Sequence, residues 1–133
     1  MTKILLAEDS KFLRISTERA LVRAGYAVST ASDGEQALQV AREKMPDLIL
    51  LDMLLPKMSG PDVLKALKKE AATAAIPVVV LSGLSNTNAT KLVADGAFAF
   101  LEKSTLELDK GSGALLSAVS EIIKKLPQPA AAK

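Results

Sequence analysis

The 133-residue sequence contains no cysteine and no histidine. The lack of cysteine excludes disulfide bonds, thiol nucleophiles and thiolate metal sites. The lack of histidine excludes imidazole acid–base catalysis, histidine metal ligands and a phosphohistidine within this chain. Any chemistry must therefore use carboxylates, hydroxyl groups, lysines or the backbone.

Aromatic residues, long apolar runs and an excess of one charge are also scarce. With one Tyr, three Phe and no Trp, the chain offers no stacking platform for bases. The net charge of +2 comes without a basic cluster, so we expect no direct nucleic-acid binding. No apolar run approaches the ~18 residues that cross a membrane, and Met1-Thr-Lys3 is too short a start for a secretory signal. We expect a cytoplasmic protein without membrane insertion.

Five short apolar runs alternate with segments of helical periodicity. Several of these runs are continuously apolar rather than alternating, which is typical of parallel strands covered on both faces. The runs lie at residues 4–7, 26–29, 48–51, 78–81 and 98–101.

Residues that start and end helices separate the runs. Gly25 suits the end of a first helix, and Asp33-Gly-Glu-Gln36 resembles a capping box that opens a second. Pro61 suits the first turn of a third helix, where its missing N–H is not needed. A fourth helix is predicted at about residues 88–95. The last helix carries an apolar stripe at Leu115, Ala118, Val119, Ile122 and Leu126.

The alternation of strands and helices predicts an α/β fold, a doubly wound five-stranded parallel sheet with five helices and right-handed crossovers. We expect one domain over residues 1–126, and a flexible, low-complexity C-terminal tail at 127–133. In such sheets the ligand-binding or active site lies at the carboxyl ends of the strands.

Polar residues stand at those strand ends. Glu8 and Asp9 follow the first predicted strand, and Asp52 ends the third. Ser82 follows the fourth strand, and Lys103 the fifth. Because the first and third strands are neighbours in a five-stranded doubly wound sheet, we expect the three carboxylates to converge.

Three carboxylates in one crevice repel one another, by several kcal/mol per pair at ~4 Å and an effective dielectric constant of ~20. An all-oxygen site of this kind suits Mg²⁺. A lysine and a hydroxyl group opposite it, Lys103 and Ser82, suit a phosphoryl group on Asp52. The pattern predicts an aspartyl nucleophile and an in-line attack assisted by Mg²⁺.

Together these residues resemble the receiver domain of two-component response regulators. The resemblance covers about residues 2–126. It rests on Glu8-Asp9, on Asp52 followed by Met-Leu-Leu-Pro-Lys-Met-Ser-Gly60, on Ser82 and on Lys103. It implies a flavodoxin-like sheet with the strand order 2-1-3-4-5.

The resemblance also implies roles for single residues. Asp52 would accept a phosphoryl group from a sensor histidine kinase or a histidine phosphotransfer protein. Asp9, Asp52 and the backbone carbonyl of Leu54 would hold Mg²⁺, with Glu8 acting directly or through water.

The remaining implied roles concern the phosphorylated state. Lys103 would contact the phosphoryl group. Ser82 would move toward it, and Phe100 would change rotamer as the switch aromatic. The unknown downstream protein target would then bind the face formed by the fourth helix, the fifth strand and the last helix.

The sequence departs from the family pattern after the fifth strand. Family members usually have Lys-Pro with a cis bond there, whereas this chain has Lys103-Ser104. A cis bond to a non-proline residue costs ~3 kcal/mol, so either the bond is strained or it is trans and Lys103 points elsewhere. The segment 104–113 is also longer than usual. Leu54 and Leu84 are apolar, and we expect them to shield an acyl phosphate from water.

Three other functions are weighed against the receiver. A Mg²⁺-dependent phosphohydrolase usually has a second acid two residues after its nucleophile, where this chain has Leu54. A dinucleotide or flavin binder needs a glycine-rich turn, which residues 7–11 lack. A phosphorylation-independent interaction module is supported only by the missing proline after Lys103. We therefore expect a signalling protein that is not an enzyme, and leave open whether it is a single-domain regulator or a receiver excised at a linker.

Overall fold

The computed structural model describes residues 2–82, 96–102 and 113–126, which form one five-stranded parallel sheet flanked by helices. The strands follow the order β2-β1-β3-β4-β5, which confirms the predicted flavodoxin-like order 2-1-3-4-5. The elements are β1 (Lys3–Ala7), α1 (Lys11–Arg23), β2 (Ala27–Ala31), α2 (Gly34–Lys44), β3 (Leu48–Asp52), α3 (Gly60–Lys69), β4 (Val78–Ser82), β5 (Ala99–Glu102) and α4 (Gly113–Lys125).

Four of the five strands agree with the predicted runs to within one residue. The exception is β2, predicted at 26–29 but found at Ala27–Ala31. It ends two residues later than predicted, because Thr30 and Ala31 still pair with Leu6 and Ala7 of β1, and it starts one residue later. The Tyr26 N–H donates to the carbonyl of Leu21 at 3.1 Å, and Gly25 has a φ of +102°. Tyr26 thus closes the end of α1 in a Schellman-type motif instead of opening the strand.

Two predicted segments lie outside the described residues, namely the helix at 88–95 and the tail at 127–133. The domain boundary at residue 126 also stays a prediction. Among the helices that the structure describes, none is long and apolar enough to cross a membrane.

Both faces of the sheet are covered, which explains the continuously apolar strands. Leu5 and Ile49 point to the side of α2 and α3, and pack in a core cluster with Leu64. Ile4 and Leu50 point to the opposite side, where a second cluster includes residues of α1 and α4. A strand buried on both faces cannot alternate between apolar and polar residues.

Helices α1, α2 and α3 begin at the carboxyl edge of the sheet, and each has a polar cap. The Ser10 hydroxyl accepts from the Leu13 N–H at 3.3 Å at the start of α1, and Ser59 caps α3 in the same way. Asp33 caps α2, accepting from the Gln36 N–H at 2.8 Å. Such caps fix where each helix begins, and so fix the loops that lead into them.

The link between α3 and β4 is held by two side chains. The buried Thr73 hydroxyl donates to the carbonyl of Leu67 at 2.7 Å. The Lys68 ammonium donates to the carbonyls of Ala74 and Ile76 at 3.0 and 2.8 Å, and its partial burial lowers the pKa of Lys68. These bonds satisfy carbonyls at and beyond the end of α3.

The burial of the sheet can be tested with two valines of equal size. Val79 in β4 is 0% exposed, whereas Val22 in α1 is 53% exposed. We expect Val79→Ala to lower the free energy of unfolding by about 2–3 kcal/mol, because it removes buried apolar volume and leaves a cavity. Val22→Ala should leave it within about 0.5 kcal/mol of wild type. Urea denaturation of both variants measures the difference, and equal effects would contradict this packing.

Candidate functional site

Glu8, Asp9 and Asp52 meet at the carboxyl edge of the sheet, as predicted. Each offers one carboxylate oxygen, and these three oxygens lie within 4.8 Å of one another. The pairing of β1 with β3 causes this, because Glu8 and Asp52 each follow directly on the paired residues Ala7 and Leu51. Glu8 is 3% and Asp52 4% exposed, whereas Asp9 is open to solvent. The result is an acidic cluster with two buried members and one accessible member.

The backbone around Glu8 is fixed from several sides. The Glu8 N–H donates to the carbonyl of Ala31 at 3.0 Å, which extends the contact with β2 beyond the end of β1. One Glu8 carboxylate oxygen, Oε2, accepts from the Ser10 N–H at 3.2 Å. The orientation of Glu8 is therefore tied both to β2 and to the cap of α1.

Arg14 contacts the main chain beside the acidic cluster, which the sequence did not indicate. Its guanidinium donates to the backbone carbonyls of Glu8 and Asp9, at 3.0 and 3.3 Å. It thus contacts the main chain of the two acids from the first turn and a half of α1. The only feature of Arg14 in the sequence that could suggest this contact is its position four residues after Ser10. An arginine in that position is common on the outer face of a helix.

Asp52 is the last residue of β3, whose five residues are all buried. Its Oδ1 accepts from the Leu54 N–H at 3.2 Å. The next residue, Met53, remains attached to β4, since its N–H donates to the carbonyl of Leu81 at 3.0 Å. The Leu54 side chain is 64% exposed. The backbone thus turns away from the sheet immediately after the carboxylate.

Gly60 closes this turn in a place where no side chain fits. Its N–H donates to the carbonyl of Met53 at 3.0 Å. A Cβ at Gly60 would lie 2.5 Å from the carbonyl oxygen of Asp52 and 2.7 Å from the Cα of Met53. The obstacles are backbone atoms, so the glycine that ends the sequence motif is required for the approach of α3 to the site.

The other predicted residues are placed in part. Ser82 ends β4, one residue beyond Leu81, which pairs with Asp52. Phe100 lies in β5 and is half-buried against the core cluster on the side of α2 and α3. Lys103, Ser104 and Leu84 lie outside the described residues, so the predicted roles of Lys103 and Leu84 and the geometry of the Lys103–Ser104 bond stay predictions.

The donor set of the acidic cluster fits a hard divalent cation. All three side chains offer carboxylate oxygens, which Mg²⁺ prefers, and the exposed Asp9 leaves one side open to water or a phosphate ligand. A separate cleft of about 550 Å³ lies between α1 and α4, and none of the three acids lines it. The acidic cluster at the strand ends and this cleft are therefore separate features of the surface.

Comparisons with known proteins agree with this geometry. A family model described as the response regulator receiver domain matches residues 4–110. The chain is 41% identical over 80 residues to the alkaline phosphatase synthesis transcriptional regulatory protein PhoP of Bacillus subtilis, covering 60% of the chain and 32% of PhoP. It is 39% identical over 109 residues to a gliding motility regulatory protein of Myxococcus xanthus, covering 80% of the chain and 14% of that protein. The chain spans about a third or less of these relatives.

Solved structures match almost the whole chain. The chemotaxis protein CheY4 of Vibrio cholerae gives a TM-score of 0.81 at 28% identity, covering 92% of this chain and 98% of CheY4. The Mn²⁺-bound form of the response regulator Rcp1 gives a TM-score of 0.83 at 27% identity, covering 98% of this chain and 100% of Rcp1.

The repulsion within the acidic cluster gives a prediction that needs no phosphate. In a buffer with a metal chelator, we expect Asp9→Asn to raise the free energy of unfolding by about 0.2–1 kcal/mol, because it removes one of three neighbouring like charges at an exposed position. Glu121→Gln, an exposed acid outside the cluster, should give no increase. Urea denaturation measures both, and a destabilised Asp9→Asn would contradict net repulsion.

Proposed function

Because the chain belongs to the family of response regulator receiver domains, we propose that Asp52 accepts a phosphoryl group from a sensor histidine kinase or a histidine phosphotransfer protein. The observation that carries the proposal is the convergence of Glu8, Asp9 and Asp52 at the carboxyl edge of the parallel sheet. The absence of histidine from the sequence fits this division of roles, since the phosphohistidine then belongs to the donor.

In the proposed reaction, a carboxylate oxygen of Asp52 attacks the phosphorus atom of the donor phosphohistidine. The phosphorus–nitrogen bond breaks, the imidazole leaves and takes up a proton, and an acyl phosphate forms on Asp52. Developing negative charge on the phosphoryl oxygens has to be offset for this transfer.

We assign the metal site to Glu8, Asp9, Asp52 and the backbone carbonyl of Leu54. A bound Mg²⁺ would supply the positive charge that offsets the three carboxylates and the phosphoryl oxygens. The protein's own contribution is to hold the ligands in place. Arg14 holds the main chain of Glu8 and Asp9, and the Leu54 N–H orients the Asp52 carboxylate.

Lys103, Ser82 and Phe100 complete the proposed switch. Lys103 contacts the phosphoryl group, Ser82 moves toward it, and Phe100 changes rotamer in response. The half-buried position of Phe100 at the sheet edge supports this role, because a rotamer change there alters both core and surface. Altered contacts with a downstream protein target would then carry the signal.

We propose that the chain acts in the cytoplasm as a signalling receiver, not as an enzyme with a separate substrate, and without contacting nucleic acid itself. Leu54 supports the first point, since it occupies the position where a phosphohydrolase usually has its second acid. A phosphorylation-independent interaction module would have no need of two buried carboxylates beside a third. No feature of residues 2–82, 96–102 and 113–126 favours that alternative.

The proposal is tested by incubating the protein with Mg²⁺ and a small acyl phosphate or amidophosphate donor, and then measuring its intact mass. We expect the mass to increase by one phosphoryl group, and only when Mg²⁺ is present. Asp52→Asn should show no increase, whereas Asp47→Asn, an exposed aspartate just before β3, should behave as wild type. A folded wild-type protein that gains no mass would refute the proposal.

The apolar residues near Asp52 give a prediction about the lifetime of the phosphorylated state. Replacing Leu54 and Leu84 by asparagine should speed the loss of the phosphoryl group at least about threefold, a fall of ~0.7 kcal/mol in the barrier, because polar side chains admit and orient water. Replacing both by methionine should leave the rate unchanged. The decay of the phosphorylated mass after donor removal gives the rates, and an unchanged rate in the asparagine variant would exclude shielding.

A further inference from the structure

The connection between β2 and α2 contacts both segments that carry the acids. We call residues 31–36 the β2–α2 junction. On one side, the carbonyl of Ala31 accepts from the Glu8 N–H at 3.0 Å. On the other side, the Gly34 N–H donates to the carbonyl of Pro56 at 3.2 Å, in the loop that follows Asp52. The β2–α2 junction is thus hydrogen-bonded to the backbone at Glu8 and to the loop that follows Asp52.

The junction is itself firmly held. Asp33 caps α2 by accepting from the Gln36 N–H at 2.8 Å. The Gln36 side chain reaches back and accepts from the N–H and the hydroxyl of Ser32, at 2.7 and 3.1 Å. This differs from the expected capping box in one respect, since the returning bond reaches the residue before the cap. Because both ends of the turn are bonded, the junction can serve as a fixed support for its neighbours.

Contact between the junction and the loop after Asp52 is very close at Gly34. A Cβ added to Gly34 would lie 2.1 Å from the carbonyl oxygen of Met58 and 2.6 Å from its Cβ. Real Cβ atoms do not come this close to atoms to which they are not bonded, and the carbonyl oxygen belongs to the backbone, which cannot rotate away as a side chain can. Any side chain at residue 34 must therefore displace the loop or the start of α2.

Lys57 adds a second connection. It has a φ of +68°, a left-handed conformation that costs a non-glycine residue roughly 1–2 kcal/mol. Its ammonium nitrogen lies 3.7 Å from a carboxylate oxygen of Asp33 and 4.0 Å from one of Glu35. The Met58 N–H donates to the carbonyl of Pro56 at 2.7 Å, which tightens the same turn. The junction helps to keep the loop in this conformation.

We propose that the β2–α2 junction positions the metal and phosphoryl site, by setting the place of the Leu54 carbonyl relative to Glu8. The inference rests on the proposed function. Leu54 lies between two fixed points, because the Met53 carbonyl is bonded to the Gly60 N–H and the Pro56 carbonyl to Gly34. A displacement at Pro56 is therefore transmitted to Leu54, two residues away, and from there to the Asp52 carboxylate that Leu54 contacts.

The first test compares two glycine substitutions. Gly34→Ala should weaken Mg²⁺ binding about tenfold, as is typical when a support behind metal ligands is lost. Gly113→Ala is the control, since a Cβ there meets nothing within 4 Å. Isothermal titration calorimetry gives the Mg²⁺ dissociation constants. Urea denaturation without metal shows whether the fold survives. Equal affinity in the two variants would overturn the inference.

The second test uses Lys57→Gln, which replaces an exposed side chain and leaves the core untouched. We expect about twofold weaker Mg²⁺ binding at low ionic strength, with the difference vanishing in high salt because the ion pairs are exposed. Removing the positive charge of Lys57 would by itself strengthen Mg²⁺ binding at the acidic cluster. Weaker Mg²⁺ binding would therefore result from loss of the ion pairs with Asp33 and Glu35. Lys65→Gln, an exposed lysine in α3, makes the same charge change elsewhere and should not weaken binding.

The outcomes separate the two proposals. If the wild type binds Mg²⁺ and gains a phosphoryl group while Gly34→Ala and Lys57→Gln bind Mg²⁺ equally well, the junction has no positioning role and the proposed function stands. If Gly34→Ala fails to fold, Lys57→Gln decides alone. A wild type that neither binds Mg²⁺ nor gains mass would overturn both.

Discussion

The pairing of β1 with β3 is the constraint on which the site depends. Its register places Ala7 opposite Leu51. The residues that follow them, Glu8 and Asp52, therefore lie side by side at the carboxyl edge of the sheet. Since side chains alternate between faces along a strand, a slip of one residue would exchange the side chains that β1 contributes to the two core clusters. Both faces are apolar, so it is the close fit of the side chains in the two clusters that opposes such a slip. Hydrophobic packing thus determines the distance between the carboxylates.

Burial gives the acidic cluster its chemical character. Glu8 and Asp52 lie at the ends of strands that are buried on both faces, where charges interact more strongly than in water. Asp9, one residue further along, reaches solvent. The site therefore combines two buried carboxylates with one that faces solvent.

Much of this could be predicted from the sequence, because the signals are local. The apolar runs, the cap at Asp33, the Pro61 in the first turn of α3 and the acids at the strand ends each depend on residues close together in the chain. The parallel sheet then followed from the alternation of strands and helices. The one-residue delay in the start of β2 also has a local cause, since Tyr26 is a good strand residue whose N–H is used by the end of α1.

Contacts between distant segments could not be predicted in this way. The bond from Arg14 to the main chain of the acids depends on how α1 lies against the strand end. The close contact between Met58 and Gly34 depends on the angle between α2 and the loop after β3. A glycine after a capping aspartate has an ordinary local explanation, so the sequence carries no separate sign of this second requirement.

Glu8 and Asp52 stand 44 positions apart in the chain, as 52 − 8 = 44. In the unfolded chain the two charges are far apart and well solvated, and they come together only when β1 and β3 pair. Parallel pairing between distant segments is slow, because the entropy of closing the intervening loop is lost before the contacts form. The repulsion between the Glu8 and Asp52 carboxylates thus adds to the free-energy cost of pairing β1 with β3. A divalent cation bound to the three carboxylates would lower the free energy of the paired strands, so the ion that we propose for phosphoryl transfer would also stabilise the fold.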